Sequence, residues 1–107
     1  MKGRLTIVPV DPTAPVSSKE LAGVPRLEAL KAGIGGGYIE VVPYFTRYRG
    51  ERCVAFCDED GKLHGLPVNR VATALWYAQL TEPLALRDYL VGPIVIVTGD
   101  RELLEEL

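Results

Sequence analysis

The segment Gly92-Pro93-Ile94-Val95-Ile96-Val97-Thr98-Gly99 constrains the chain more than any other. Four consecutive apolar β-branched residues between glycines form a run too short for a helix and well suited to a buried strand. The chain must therefore build a core around a sheet. Three further segments supply strands for it. Residues 4–10 (RLTIVPV) are β-branched, with Pro9 suiting an edge or the end of the strand. Residues 38–42 alternate Tyr38, Glu40 and Val42 with Ile39 and Val41. Residues 51–57 place Val54 and Phe56 on one face and Cys53, Ala55 and Cys57 on the other. The stretch 43–50, bounded by Pro43 and Gly50, joins the last two as a hairpin with a wide loop.

Helical spacing appears in two places. From Val68 to Leu80 the residues Ala72, Leu75, Trp76 and Leu80 share a stripe, with Asn69 near the N-cap. A shorter helix has Pro25 in its first turn, carries Leu27, Leu30 and Ile34, and takes Gly33 as its C-cap. Asp100 caps a short acidic helix at the end of the chain. Residues 11–18 read as a surface loop, 58–61 (DEDG) as a turn, 62–67 (KLHGLP) as a short extended piece, and 84–90 as ambiguous. The fold class expected is α+β: a mainly antiparallel four- to five-stranded sheet, the main helix packed on one face through Leu75 and Trp76, and short accessory helices.

Composition narrows the classes. At 107 residues, 48% apolar and 24% charged, one folded domain over residues 1–107 is expected. A net charge of −2 disfavours whole-surface attraction to nucleic acid or anionic membranes. No run approaches a membrane span and the N-terminal apolar stretch is too short for a signal peptide, so a cytoplasmic protein is expected. Cys53 and Cys57, four apart on one strand, have Cα atoms about 13 Å apart, beyond disulfide reach. They read as reduced thiols.

Three segments carry a family resemblance. GGYIEVVP at 36–43, CDEDGKLHGLPVNR at 57–70 and DYLVGPIVIVTG at 88–99 resemble the family named domain of unknown function 3846. Gly36, Gly37, Ile39 and Glu40 match its first motif; Glu59, Gly61, Lys62, Gly65, Pro67, Asn69 and Arg70 match the second; Asp88 and Gly92 match the third. Asp58 stands where the family commonly has Asn, and the Arg47–Arg49 region is basic where relatives are often acidic. The resemblance implies a phage or mobile-element accessory protein and brings no established activity with it.

Several chemistries can be weighed on the residues alone. The glycines at 33 and 35–37 run from helix into strand, the reverse of a phosphate-cradling loop, and read as a helix cap and turn. Two cysteines and one histidine are too few for a structural zinc site, and Asp58-Glu59-Asp60-Gly61 lacks the register of a calcium loop. No metal and no cofactor is expected. Cys57 and His64 could meet across the turn, leaving a small enzyme using Cys57, His64 and Asp88 as one reading.

Two surfaces remain for binding. Asn69 and Arg70 open a helix, where free N–H groups and a guanidinium suit an anion such as a nucleotide, with Glu40, Tyr38 and Asp88 as further ligand residues. In the bland alternative Asn69 only caps the helix and Arg70 pairs with Glu40 or Asp88. The stretch Tyr44, Phe45, Arg47, Tyr48 and Arg49 mixes aromatic rings with arginines, as a protein partner or a nucleic-acid strand requires. The expectation is a non-enzymatic accessory protein that binds a host protein or a small anionic ligand and counteracts host defence. A nucleic-acid module through the Arg47–Arg49 loop is the alternative, and a homo-oligomer that hides a sheet edge is compatible with either.

Overall fold

The computed structural model of the protein describes residues 1–81 and 88–107. Among the described residues, six strands and three helices follow one another as β1 (Gly3–Val8), β2 (Ser17–Leu21), α1 (Leu27–Gly33), β3 (Ile39–Val41), β4 (Arg47–Tyr48), β5 (Glu51–Asp58), α2 (Arg70–Tyr77), β6 (Ile94–Gly99) and α3 (Arg101–Glu105). The class is α+β. Every pairing is antiparallel, in the order β2-β1-β6-β5-β3, with β4 also on β5.

The IVIV run is the centre of the sheet. β6 pairs with β1 on one side and β5 on the other, and all four residues are fully buried. Its alternating side chains feed two different cores. Ile94 and Ile96 pack with Val8, Ala55, Val42 and Phe45 and with Ala72 and Trp76 of α2. Val95 and Val97 pack with Leu5, Phe56, Leu30, Ile34 and Leu103, beneath α1 and α3. Both faces are thus covered, which explains why β6 carries no alternation of apolar and polar residues.

Four expectations are corrected. The sheet has six strands, not four or five: Ser17–Leu21, expected as loop, pairs with β1 from Ile7↔Ser17 to Gly3↔Leu21. This strand is exposed and polar, so its existence comes from β1's hydrogen-bonding edge and not from its own side chains. The wide 43–50 loop closes instead as a tight β4–β5 hairpin, with Arg49 at φ 51° and Gly50 at φ 82° supplying the positive-φ pair that a two-residue turn needs. Residues 62–65 are turn, not extended, and 66–67 carry no regular structure; the turn is held by His64 N–H to Asp60 O (2.9 Å) and Leu66 N–H to Gly61 O (3.0 Å).

The main helix is also shorter than expected, Arg70–Tyr77 in place of Val68 to Leu80. Gln79 just beyond it clamps the hairpin: its Oε1 accepts from Thr46 N–H (2.9 Å) and Arg47 N–H (2.8 Å), and its amide donates to Arg47 O (2.9 Å). Of the ambiguous segment 84–90, residues 84–87 lie outside the described residues. Asp100 caps α3 as expected, accepting from Leu103 N–H at 2.9 Å. Cys53 and Cys57 are both free thiols.

Candidate functional site

A cleft of about 220 Å³ opens on the α2 face of the sheet, at the β3 edge. Its floor is apolar, made by Val42, Trp76, Leu90 and Val91 with Cys57 among them. Its charges are one-sided: Glu40, Asp58, Glu59 and Asp88 line it, and among the described residues Lys62 is the one cation there. Each comes from a different local cause. Glu40 lies on β3 opposite Cys57 of β5, so both side chains project from the same face. Asp58 ends β5 and folds over the turn that follows, its Oδ1 accepting from Asp60 N–H at 2.8 Å.

The glycine run makes room for this. Gly35 and Gly36 hold φ of 99° and 98°, turning the chain from α1 toward β3. A Cβ on Gly37 would stand 2.3 Å from the Asp58 Oδ2, so only glycine lets that carboxylate lie where it does. The geometry displays cap, turn and close packing, with two corrections: Pro25 lies before the N-cap Arg26, outside the first turn of α1, and the C-cap is Ile34, with Gly35 and not Gly33 taking the positive φ that follows.

The outer wall, residues 88–91, is pinned to α2. Asn69 N–H donates to Leu90 O (2.8 Å), Leu90 N–H donates to Thr73 Oγ1 (3.0 Å), and Tyr77 OH donates to Asp88 O. Lys62 reaches across to this wall: its ammonium pairs with the Asp88 carboxylate and stands 4.4 Å from the centre of the Tyr89 ring. Burial pushes the Asp88 carboxyl up, but the Lys62 ammonium and the Tyr89 N–H (2.8 Å) outweigh it and hold the group below its ordinary value.

The environment of the thiol in this cleft favours its protonated form. Burial first, then the carboxylates of Glu40, Asp58 and Asp88, push Cys57 up to about 11 against a weaker opposing effect of Lys62. A nucleophilic cysteine needs the opposite environment. His64 is exposed on the following turn and does not line the cleft. Cys53 is buried on the same face of β5 and is raised to about 12 by burial.

The sequence-derived ligand residues are only partly brought together. Glu40 and Asp88 meet in the cleft; Tyr38, Asn69 and Arg70 do not line it. Asn69 is 0% exposed and its side chain is wholly used inside the fold. Its amide donates to Val8 O and Gly92 O (3.0 Å each), and its Oδ1 accepts from Ala72 N–H (2.9 Å). It ties β1, the turn before β6 and α2 together, and no ligand can touch it. Asp88 pairs with Lys62, not Arg70, which is exposed and in no ion pair among the described residues. Tyr38 is exposed, with the Lys31 ammonium 5.0 Å from its ring centre.

The expected partner surface at 44–49 is likewise divided. Phe45 and Tyr48 are core residues, 2% and 8% exposed, because rings of this size are drawn under the hairpin onto Trp76 and Ile94. Tyr44, 68% exposed at φ 63°, remains outside with Arg47 and Arg49. Sequence reasoning missed the cleft as a unit, and with it Asp58, Glu59, Lys62 and Tyr89. The signal was present: each of the three motif segments contributes a carboxylate, Glu40, Glu59 and Asp88, to the same place.

Fold and site define a small α+β domain, both faces of whose antiparallel sheet are covered, with an acidic cleft at one edge. The chain belongs to the family described as "Domain of unknown function (DUF3846)", which matches it over residues 3–105. No curated protein and no solved structure matches it. Among the described residues, no helix is long and apolar enough to cross a membrane.

Proposed function

We propose that this protein is a non-enzymatic binding domain whose partner is another protein, engaged by seating a lysine or arginine side chain in the acidic cleft. One observation carries the reading: Glu40, Asp58, Glu59 and Asp88 all line a concave site with an apolar floor, where Lys62 is the one cation among the described residues. Such a site attracts a cationic head while its floor covers the aliphatic stem of the same side chain. The weakened nucleophilicity of Cys57 favours binding over covalent chemistry. In a phage or mobile-element setting the partner would be a host protein.

The small anion moves down in this reading. The cleft repels it, and the α2 N-terminus offers only Arg70 once Asn69 is spent on the fold. Titrating ¹⁵N-labelled protein with arginine amide and, separately, with AMP tests the choice. Arginine amide should move the amide resonances of Glu40, Asp58, Lys62 and Tyr89, and AMP should leave them in place. Shifts with AMP alone would sink the proposal. A second reading, nucleic-acid binding, draws on exposed Tyr44, Arg47 and Arg49, and a steep loss of DNA affinity with added salt would support it.

A further inference from the structure

The cleft adjoins an open strand edge. β3 is the last strand of the sheet path, and its register against β5 decides which peptide groups are used. Glu59 N–H donates to Tyr38 O (2.8 Å) and Val42 N–H donates to Ala55 O (2.9 Å). In an antiparallel ladder the hydrogen-bonded pairs alternate, so residues 38, 40 and 42 turn their peptide groups toward β5 and Ile39 and Val41 turn theirs outward. Among the described residues nothing bonds to the outward groups of Ile39 and Val41. An unpaired edge of this kind is a template for another strand.

From this edge and the charge beside it, we infer that the partner docks as an extended strand on β3, with a lysine or arginine opposite Glu40 and apolar residues opposite Ile39 and Val41. The inference rests on the reading of the cleft as the seat of a basic side chain, and adds the backbone mode and the sequence pattern. Glu40 projects from the α2 face beside the cleft, so a side chain opposite it projects toward Glu59 and Asp88 as well. On the outer side Glu40 forms a non-hydrogen-bonded pair position, where facing side chains approach closest, Cα to Cα about 4.5 Å. On the other face Val41 stands 55% exposed and offers apolar area to a neighbour.

The same register disfavours a second copy of this chain. Two β3 strands related by a two-fold axis through the central pair would set Glu40 against Glu40 in the close pair, where like charges destabilise. The occupant is thus a basic strand of alternating pattern, apolar-basic-apolar, bound by main-chain hydrogen bonds and read by one pocket.

The probes are a capped peptide Thr-Val-Arg-Val-Thr, the same peptide N-methylated at both valines, its glutamate counterpart, and arginine amide. The N-methyl groups remove the donors that would face Ile39 and Val41 and leave the arginine unchanged. Binding is followed by amide shifts, and the hydrogen exchange of Ile39 and Val41 reports strand addition. The expected result is slowed exchange at both positions with the arginine peptide, at least tenfold weaker binding after N-methylation, and a reversed preference for the glutamate peptide in Glu40→Lys. Equal affinity for the plain and N-methylated peptides would overturn strand addition while leaving the cleft reading in place. If arginine amide binds and the peptide does not, strand addition is again overturned. Should neither perturb the folded protein, both readings fall. Protection of Ile39 and Val41 that rises with protein concentration alone would assign the edge to a second copy and overturn the inference.

Discussion

The N-terminus of α2 and the acidic cleft share residues 88–91 as a wall, yet they treat polar atoms in opposite ways. Around Asn69 every donor and acceptor of the side chain is matched, in a site with no solvent access. In the cleft, Glu40, Asp58, Glu59 and Asp88 outnumber Lys62, the one cation there among the described residues, in a space open to water. Polar groups that hold a fold are buried and mutually satisfied, because an unmatched one costs about 1–3 kcal/mol. Groups in the open cleft are left in excess. Both kinds lie within one family motif, where Asn69 is of the first kind and Glu59 is of the second.

The largest effect should come from the closed side. Asn69→Ala strands Gly92 O and Ala72 N–H and removes one of the donors to Val8 O, which keeps its place in the β1–β6 ladder, so stability to urea should fall by about 2 kcal/mol or more. Asn69→Asp should be at least as damaging, since a carboxylate would face two carbonyl oxygens. A stable, well-folded Asn69→Ala protein would dissolve the contrast, because the closed region would then not be what holds α2 to the sheet.

The floor of the cleft gives an intermediate effect. With Cys57 raised to about 11 from 9.0, its thiolate population at pH 8 is about a hundredfold below that of an ordinary thiol, and iodoacetamide should modify it correspondingly slowly. Unfolding in urea should restore the ordinary rate. Rapid alkylation of the folded protein at pH 8 would mean that the carboxylates do not act on the thiol as the geometry requires.

The smallest effect lies at the open rim. The Lys62–Asp88 pair is roughly half exposed on both sides, so Asp88→Asn should cost no more than about 1 kcal/mol. The sign with pH follows from the lowered Asp88 pKa. Its contribution is fully present above the unfolded value of 3.8 and is lost as pH falls through the folded value below that. The difference in urea midpoint between wild type and Asp88→Asn should therefore be flat from pH 8 to 5 and vanish in stronger acid. A difference that already shrinks between pH 7 and 6 would assign the linkage to another group and weaken the picture of the rim.

These contrasts also show how legible the molecule was in its sequence. The β6 run, the two faces of β5, the Asn69 cap and the Asp100 cap could all be read directly, because local periodicity and capping chemistry have short-range causes. β2 could not, since its side chains are polar and exposed and its pairing is supplied by β1. The burial of Phe45 and Tyr48 was equally hidden, because an aromatic ring between arginines looks the same in sequence whether it points to solvent or to Trp76.

The sequence by itself determined that a β-branched strand would sit at the heart of an α+β domain, where α2 begins, and that its thiols could not pair with each other. Only the tertiary structure decided that Glu40, Asp58, Glu59 and Asp88 share one cleft while Asn69, a neighbour of theirs in the motif, is sealed away. The physical reason is that local signals act over a few residues, whereas the β3–β5 register and the attachment of residues 88–91 to α2 join positions tens of residues apart. One shift in that register would turn Glu40 to the opposite face and take it out of the cleft.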